Sequence, residues 1–313
     1  MSPLDWRHLA VLAILSVATG ANAQTVGYAA GYDTLYRVTL ETGAATAVGR
    51  FGLVASGAGT VPISDVEGLA FSPRGQLYAV SDARDLLVTV DTATGQATVI
   101  GSLGLRGQGG NQFDNLDFGL AFTCDGRLWL SSDVSRELWR VDPATGATTL
   151  VGKIDQPVSG LASWNGELYG IGVLDRHNVY HIDTATAQAT LVASLGTSFT
   201  VYDAGADFDA QGRLWITLDS LAPPQGLPSV YREELTRVDI ANGMLDARVI
   251  TGIGSGINIV QMEALAIAPP SCGNGGGTAA TAAVPAQSPW ALALMALALA
   301  GLGLFGLRRV ARA

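Results

Sequence analysis

Between residues 25 and 270, short runs rich in Val, Leu, Thr, Tyr and Trp alternate with turn residues roughly every eight to twelve positions. This texture predicts β-strands throughout the body and gives no helical period there. The runs also repeat as groups. Asp65-Val66-Glu67-Gly68-Leu69-Ala70-Phe71 precedes Gly75 to Val80, Leu87 to Asp91 and Ala97 to Ile100. The same order recurs from Gly119, from Gly160 and from Gly205. Each group reads as four strands, and the Gly-Leu-Ala position returns at spacings of roughly 41 to 59 residues, near the length of a propeller blade.

The turns have a mechanism. Gly75, Gly126, Gly166 and Gly212 stand where a hairpin needs positive φ. Asp91, Asp142 and Asp239 each open an Asp-x-Ala/x-Thr/Asn-Gly turn, where the carboxylate can accept backbone N–H groups two residues on. In the third repeat Ala187 replaces that glycine, which predicts a looser hairpin. Residues 25–49 hold only three strands and lack an innermost one. Gln261 to Ile267 reads as that missing strand at the far end of the body. Pairing the two ends closes a ring and removes its open edges. The expected fold is therefore all-β: a five-bladed β-propeller with terminal strand closure. The order Leu-Tyr/Trp, then Val-Asp-x-Ala-Thr-Gly, resembles the YVTN and NHL-like extracellular propellers over residues 25–270, and the resemblance implies the fold rather than an activity.

The two ends read as addresses. Leu9 to Ala18 is an apolar stretch after Arg7 and His8, and Ala21-Asn22-Ala23 is a small-residue cleavage box. Residues 1–23 are thus expected to be a signal peptide, 24–270 the propeller, 271–283 a Gly/Thr/Ala-rich flexible linker and 284–313 a sorting tail. The tail reads Val284-Pro285-Ala286-Gln287-Ser288-Pro289-Trp290, then an uncharged run to Leu307, then Arg308 and Arg309. That run is long enough for a transmembrane helix, and the arginines belong on the cytoplasmic side. The Val284, Pro285, Ser288, Trp290, Arg308 and Arg309 pattern resembles the IPTL-CTERM variant of the PEP-CTERM sorting signals. Val-Pro-Ala-Gln stands in place of Ile-Pro-Thr-Leu. The resemblance implies an exported protein held at the inner membrane transiently or permanently, then carried to the cell surface or beyond. It also implies a membrane sorting protease as a partner. A permanent single-pass anchor is the alternative.

Charge narrows the function. The chain has 18 basic and 27 acidic residues. Without the four arginines and one aspartate of the termini, the body keeps 14 against 26, a formal charge of −12. Nucleic acid needs a basic footprint, so it is excluded as a partner. An extracellular protein or polysaccharide fits better. Cys124 and Cys272 are the only cysteines. An exported compartment permits a disulfide between them, with two free thiols as the alternative.

Candidate chemistry is sparse. No G-x-S-x-G elbow, P-loop or CxxC pattern occurs. Glu67, Asp117, Asp203 and Glu263 precede the innermost strands and are the candidate ligands for a cation at the channel mouth, where hard carboxylate oxygens suit calcium. Asp65 lies beside them. Glu67 and Glu263 stand one residue before the Gly/Ala position, Asp117 and Asp203 two before. Neighbouring strand residues face opposite sides, so the four need not converge. The insertion from Gly107 to Asp117 is a flexible loop or a second calcium candidate. His177 and His181 have a spacing that can share a strand face. Prolines between Ser220 and Glu234 disfavour strand extension and mark a recognition loop or an indifferent insertion. Trp129, Trp215, Tyr78 and Tyr169 recur as core positions, with carbohydrate platforms as the alternative. The expected function is non-catalytic binding with no required cofactor. The rival is a calcium-dependent hydrolase or lactonase, resembling the gluconolactonase propellers with their acidic metal ligands.

Overall fold

The computed structural model describes residues 25–109, 115–196, 200–222, 230–254, 260–270 and 272. The signal peptide, the linker other than Cys272, the sorting tail and the middle of the 107–117 insertion lie outside them. Three strands open the chain: β1 (Val26–Gly31), β2 (Thr34–Thr39) and β3 (Ala44–Arg50). A small hairpin follows, β4 (Leu53–Ser56) and β5 (Gly59–Pro62). Then come four repeats of four strands. The first is β6 (Val66–Phe71), β7 (Leu77–Ser81), β8 (Leu86–Val90) and β9 (Ala97–Ser102). The second is β10 (Phe118–Phe122), β11 (Leu128–Ser132), β12 (Glu137–Val141) and β13 (Thr148–Lys153). The third is β14 (Val158–Trp164), β15 (Glu167–Gly172), β16 (Asn178–Ile182) and β17 (Ala189–Ser194). The fourth is β18 (Thr200–Phe208), β19 (Leu214–Ala222), β20 (Val230–Asp239) and β21 (Met244–Val249). A last strand, β22 (Ala264–Ala266), ends the body.

Each repeat is one antiparallel meander, and the fifth sheet has the order β22-β1-β2-β3. Ala264 pairs with Ala30 and Ala266 with Tyr28, so the C-terminal strand supplies the innermost position of the N-terminal blade. The body is an all-β five-bladed propeller. The β4–β5 hairpin is an addition that the repeat pattern does not contain.

Innermost strands crowd the axis, and this explains the recurrent glycine. A Cβ on Gly119 would fall on the Ser159 carbonyl, and one on Gly205 on the Ala264 backbone. Only glycine permits that approach. The next two motif residues pack between blades: Leu69, Leu120, Leu161 and Leu265 are all buried. Each such side chain contributes about 1.5–3 kcal/mol relative to exposure. Trp129, Trp139, Tyr180 and Trp215 are equally buried, so these four are core residues and not carbohydrate platforms.

Two expectations are corrected. Ala187 does not loosen its hairpin: it adopts φ 62° and donates its N–H to the Asp183 carbonyl at 2.8 Å, as Gly95 does to Asp91. Its methyl is buried among Trp129, Leu168 and Ile182, and that packing holds the strained backbone. The prolines after Ser220 do not stop the strands there. β19 runs to Ala222 and β20 resumes at Val230, and residues 223–229 lie outside the described part.

Candidate functional site: the acidic mouth

All innermost strands start at one end of the channel, and the second strands of the blades return to it. Acids therefore reach this mouth from two kinds of position. Asp65, Glu67, Asp117, Asp203 and Glu263 precede or begin innermost strands. Asp82, Asp133 and Asp219 follow or end second strands, and Glu233 lies directly opposite Asp219 across β19 and β20.

The four sequence candidates do converge, despite their different registers. Glu67 feels the charges of Asp82, Asp117, Glu263 and Asp203. The register of β6 shifts between Val66 and Gly68, which makes Glu67 the extra residue of a bulge. That of β18 shifts between Val201 and Asp203. Such bulges re-aim side chains that a regular strand would turn away. Asp65 and Asp117 also sit at φ 57° and 49°, in the left-handed region that aspartate tolerates.

Backbone donors hold several of these groups in place. Glu67 Oε2 accepts the Phe118 N–H at 2.8 Å. Asp82 Oδ2 accepts the Leu116 N–H at 2.7 Å and the Asp117 N–H at 3.3 Å. Asp203 Oδ1 accepts the Ser159 hydroxyl and the Ala204 N–H. Gln261 donates to Asp219 Oδ2 at 2.5 Å, and the Met262 N–H to Glu233 Oε2 at 3.1 Å.

Burial and mutual repulsion raise every one of these acids. Desolvation dominates at Glu67 and Asp203, and their carboxylate neighbours push both further up. Asp82 is pushed up to about 7 by burial, against the two N–H bonds that favour its charge. Burial, with Asp117 nearby, raises Asp133 to about 8. Glu263 reaches about 8 by burial and the charges of Asp65, Asp219 and Asp117. Burial and Asp219 raise Glu233 to about 10. Ionised together, these groups would be a dense negative charge in a poorly solvated channel, which a cation or bound protons must offset. Asp65, Glu67 and Asp82 bring one oxygen each to within 4.8 Å of one another and are the residues able to hold a metal. A cleft of about 160 Å³ opens beside Asp65 and Asp82, with Arg106 and Asn115 on its wall.

Sequence reasoning missed Asp82, Asp133, Asp219 and Glu233. A signal for three of them was present: each aspartate lies seven residues past its turn glycine, Gly75, Gly126 or Gly212. The third repeat has Val173 there. The histidines do not form a site together. His181 Nε2 pairs with Glu167 at 2.6 Å, whereas His177 Nε2 accepts the Val201 N–H.

The opposite end of the channel carries the exit of the chain. β22 runs from Glu263 at the mouth towards Cys272, which is bonded to Cys124 in the β10–β11 hairpin, with Cα atoms 5.3 Å apart. The linker thus departs from the face opposite the acids.

Residues 282–309 match the IPTL-CTERM motif. No curated protein matches the chain in sequence. Among solved structures it is similar to the hydrazine synthase of Kuenenia stuttgartiensis, at 19% identity and TM-score 0.40, over 64% of this chain and 53% of that one. It is similar to a Bacteroides thetaiotaomicron VPI-5482 protein of unknown function at 18% identity and TM-score 0.44, over 61% and 53%. A nidogen/laminin complex chain is similar at 14% identity and TM-score 0.48, over 77% and 97%. The chain spans about half the length of the first two. The propeller assignment stands on the five sheets themselves. A propeller body with this C-terminal sorting motif points to an exported surface protein.

Proposed function

We propose that this protein is a non-catalytic binding module of the cell surface or extracellular matrix, and that the acidic mouth is its binding face. The observation that carries this reading is the polarity of the body. Its carboxyls gather at one end of the channel, and the chain leaves for its tail from the other. A body tethered through residues 271–283 presents the mouth away from the membrane. The partner is an extracellular protein or polysaccharide, and the tail is the substrate of a membrane sorting protease.

Intact mass and fractionation in the native host test the route, with Trp290→Ala beside the wild type. A product shortened near Val284 and released, absent in the variant, supports sorting. A full-length chain retained in the inner membrane would make the tail a permanent anchor. A second reading, a calcium-dependent hydrolase or lactonase, draws on the Asp65–Glu67–Asp82 group. Lactone turnover that needs a divalent cation and is lost in Glu67→Gln would favour it over pure binding.

A further inference from the structure

We propose that the acidic mouth binds a divalent cation, calcium, at Asp65, Glu67 and Asp82, and that the ion pins the closing strand to the first repeat. This deepens the reading of the mouth as a binding face by naming its first ligand, and it rests on that reading.

The spacing suits calcium. The three oxygens lie within 4.8 Å of one another. An ion with bonds of about 2.3–2.6 Å keeps opposite ligand oxygens within about 5 Å. Magnesium, at about 2.0–2.1 Å and strictly octahedral, would draw them closer than they stand. Bonds from the Phe118 and Leu116 N–H groups pre-orient Glu67 and Asp82, so the ion need not order them.

A second observation is independent of that cluster. Asp133 Oδ1, Asp219 Oδ1 and Glu233 Oε1 are buried carboxylate oxygens without a hydrogen-bond partner. Their residues are 6%, 1% and 0% exposed. Orphaned buried acceptors are rare because desolvation is uncompensated. All three residues belong to the same mouth: Asp133 acts on Asp203, while Asp219 and Glu233 adjoin Glu263. Glu263, at the head of the closing strand, feels Asp65 and Asp117 from one side and Asp219 from another.

The protein's own cations do not fill this role. Arg84 lowers Asp65 but donates its Nε to the Pro62 carbonyl at 2.8 Å. Arg106 donates to the Arg84 carbonyl at 3.2 Å. A shared proton between Asp219 and Glu233 would satisfy two of the orphaned oxygens. It leaves Asp133 and the three-carboxylate group without a counter-charge.

The test uses the full chain in detergent, stripped with chelator, and titrated calorimetrically with calcium chloride and with magnesium chloride. Saturable calcium binding is expected, tighter than magnesium by at least about tenfold, with a rise in Tm on calcium addition. Asp82→Asn should weaken calcium at least about tenfold yet leave the chelated protein folded, with Tm equal to or above wild type because repulsion is relieved. Asp142→Asn, on an exposed turn far from the mouth, should keep the affinity. A folded wild type with no calcium heat and no Tm shift overturns the proposal, as does wild-type affinity in Asp82→Asn. If the Asn variant is stabilised and neither protein binds calcium, protons hold the mouth. No macromolecular partner enters this titration. A captured partner indifferent to calcium would sink the ion and leave the binding reading intact.

Discussion

Asp207 shows how one side chain ties the ring together and makes it sensitive to pH. Its Oδ2 accepts the Ile267 N–H at 2.6 Å and the Ala268 N–H at 3.3 Å, and Oδ1 accepts the Phe208 N–H at 2.8 Å. It thereby holds the segment after β22 to the neighbouring blade. Burial raises its pKa to about 7, the three N–H bonds oppose this, and Asp209 adds a little repulsion. Asp209 is itself paired with Arg213 at 2.6 Å. An unfolded aspartate titrates near about 3.9. Between about pH 4 and 7 the folded chain holds a proton that the unfolded chain has released, so stability falls as pH rises through that window. Asp207→Asn should flatten the fall. Tm measured from pH 5 to 8 checks this, and equal slopes in variant and wild type would refute the raised pKa. The bonds of Asp207 could not be read from sequence, because its partners lie some sixty positions away. The turn aspartates could, because their partners are local: Asp91 Oδ1 accepts the Ala93 N–H at 2.7 Å, and Asp183 Oδ1 the Ala185 N–H at 2.7 Å.

Among the elements, the closing strand is the weakest and the most consequential. β22 has three residues and carries no outer neighbour of its own. Two covalent or near-covalent restraints hold its ends: the Asp207 bonds, and the Cys124–Cys272 disulfide across 148 residues. Replacing both cysteines by serine should cost about 2–5 kcal/mol, as for other native disulfides that close long loops. Urea unfolding of oxidised wild type against the double variant measures it. An unchanged midpoint would show that β22 stays docked without the clasp. The need for a closing strand was legible from a count, since residues 25–49 hold three strands where each repeat has four. The β4–β5 hairpin was not, because it interrupts the repeat and leaves no counterpart in other blades.

The whole molecule is a ring closed by the two ends of its chain. Pairing Ala29 with Leu265 joins distant positions, and such contacts form late because loop-closure entropy must be overcome first. Leu265 is buried against Ala29, Trp215 and Ile267. Leu265→Ala should destabilise the body by about 2–5 kcal/mol. The loss should appear as faster unfolding with little change in the folding rate, as expected for a contact absent from the transition state. Stopped-flow tryptophan fluorescence separates the two. Slowed folding with unchanged unfolding would place ring closure early instead.

The sequence by itself determined the strand texture, the four-strand repeat, the terminal closure and the sorting motif. All of these are local patterns or counts along one line. Tertiary structure decided which acids meet. Glu67 and Asp203 share the mouth with Asp117 and Glu263 only because β6 and β18 shift register, and a one-residue shift reverses the face of every side chain beyond it. Glu233 joins them through the register of β19 against β20, which prolines in the intervening segment concealed. Cys272 reaches Cys124 because the closing strand ends at the face where the β10–β11 hairpin turns. Periodicity names the strands; the distances between their ends are set only when the ring closes.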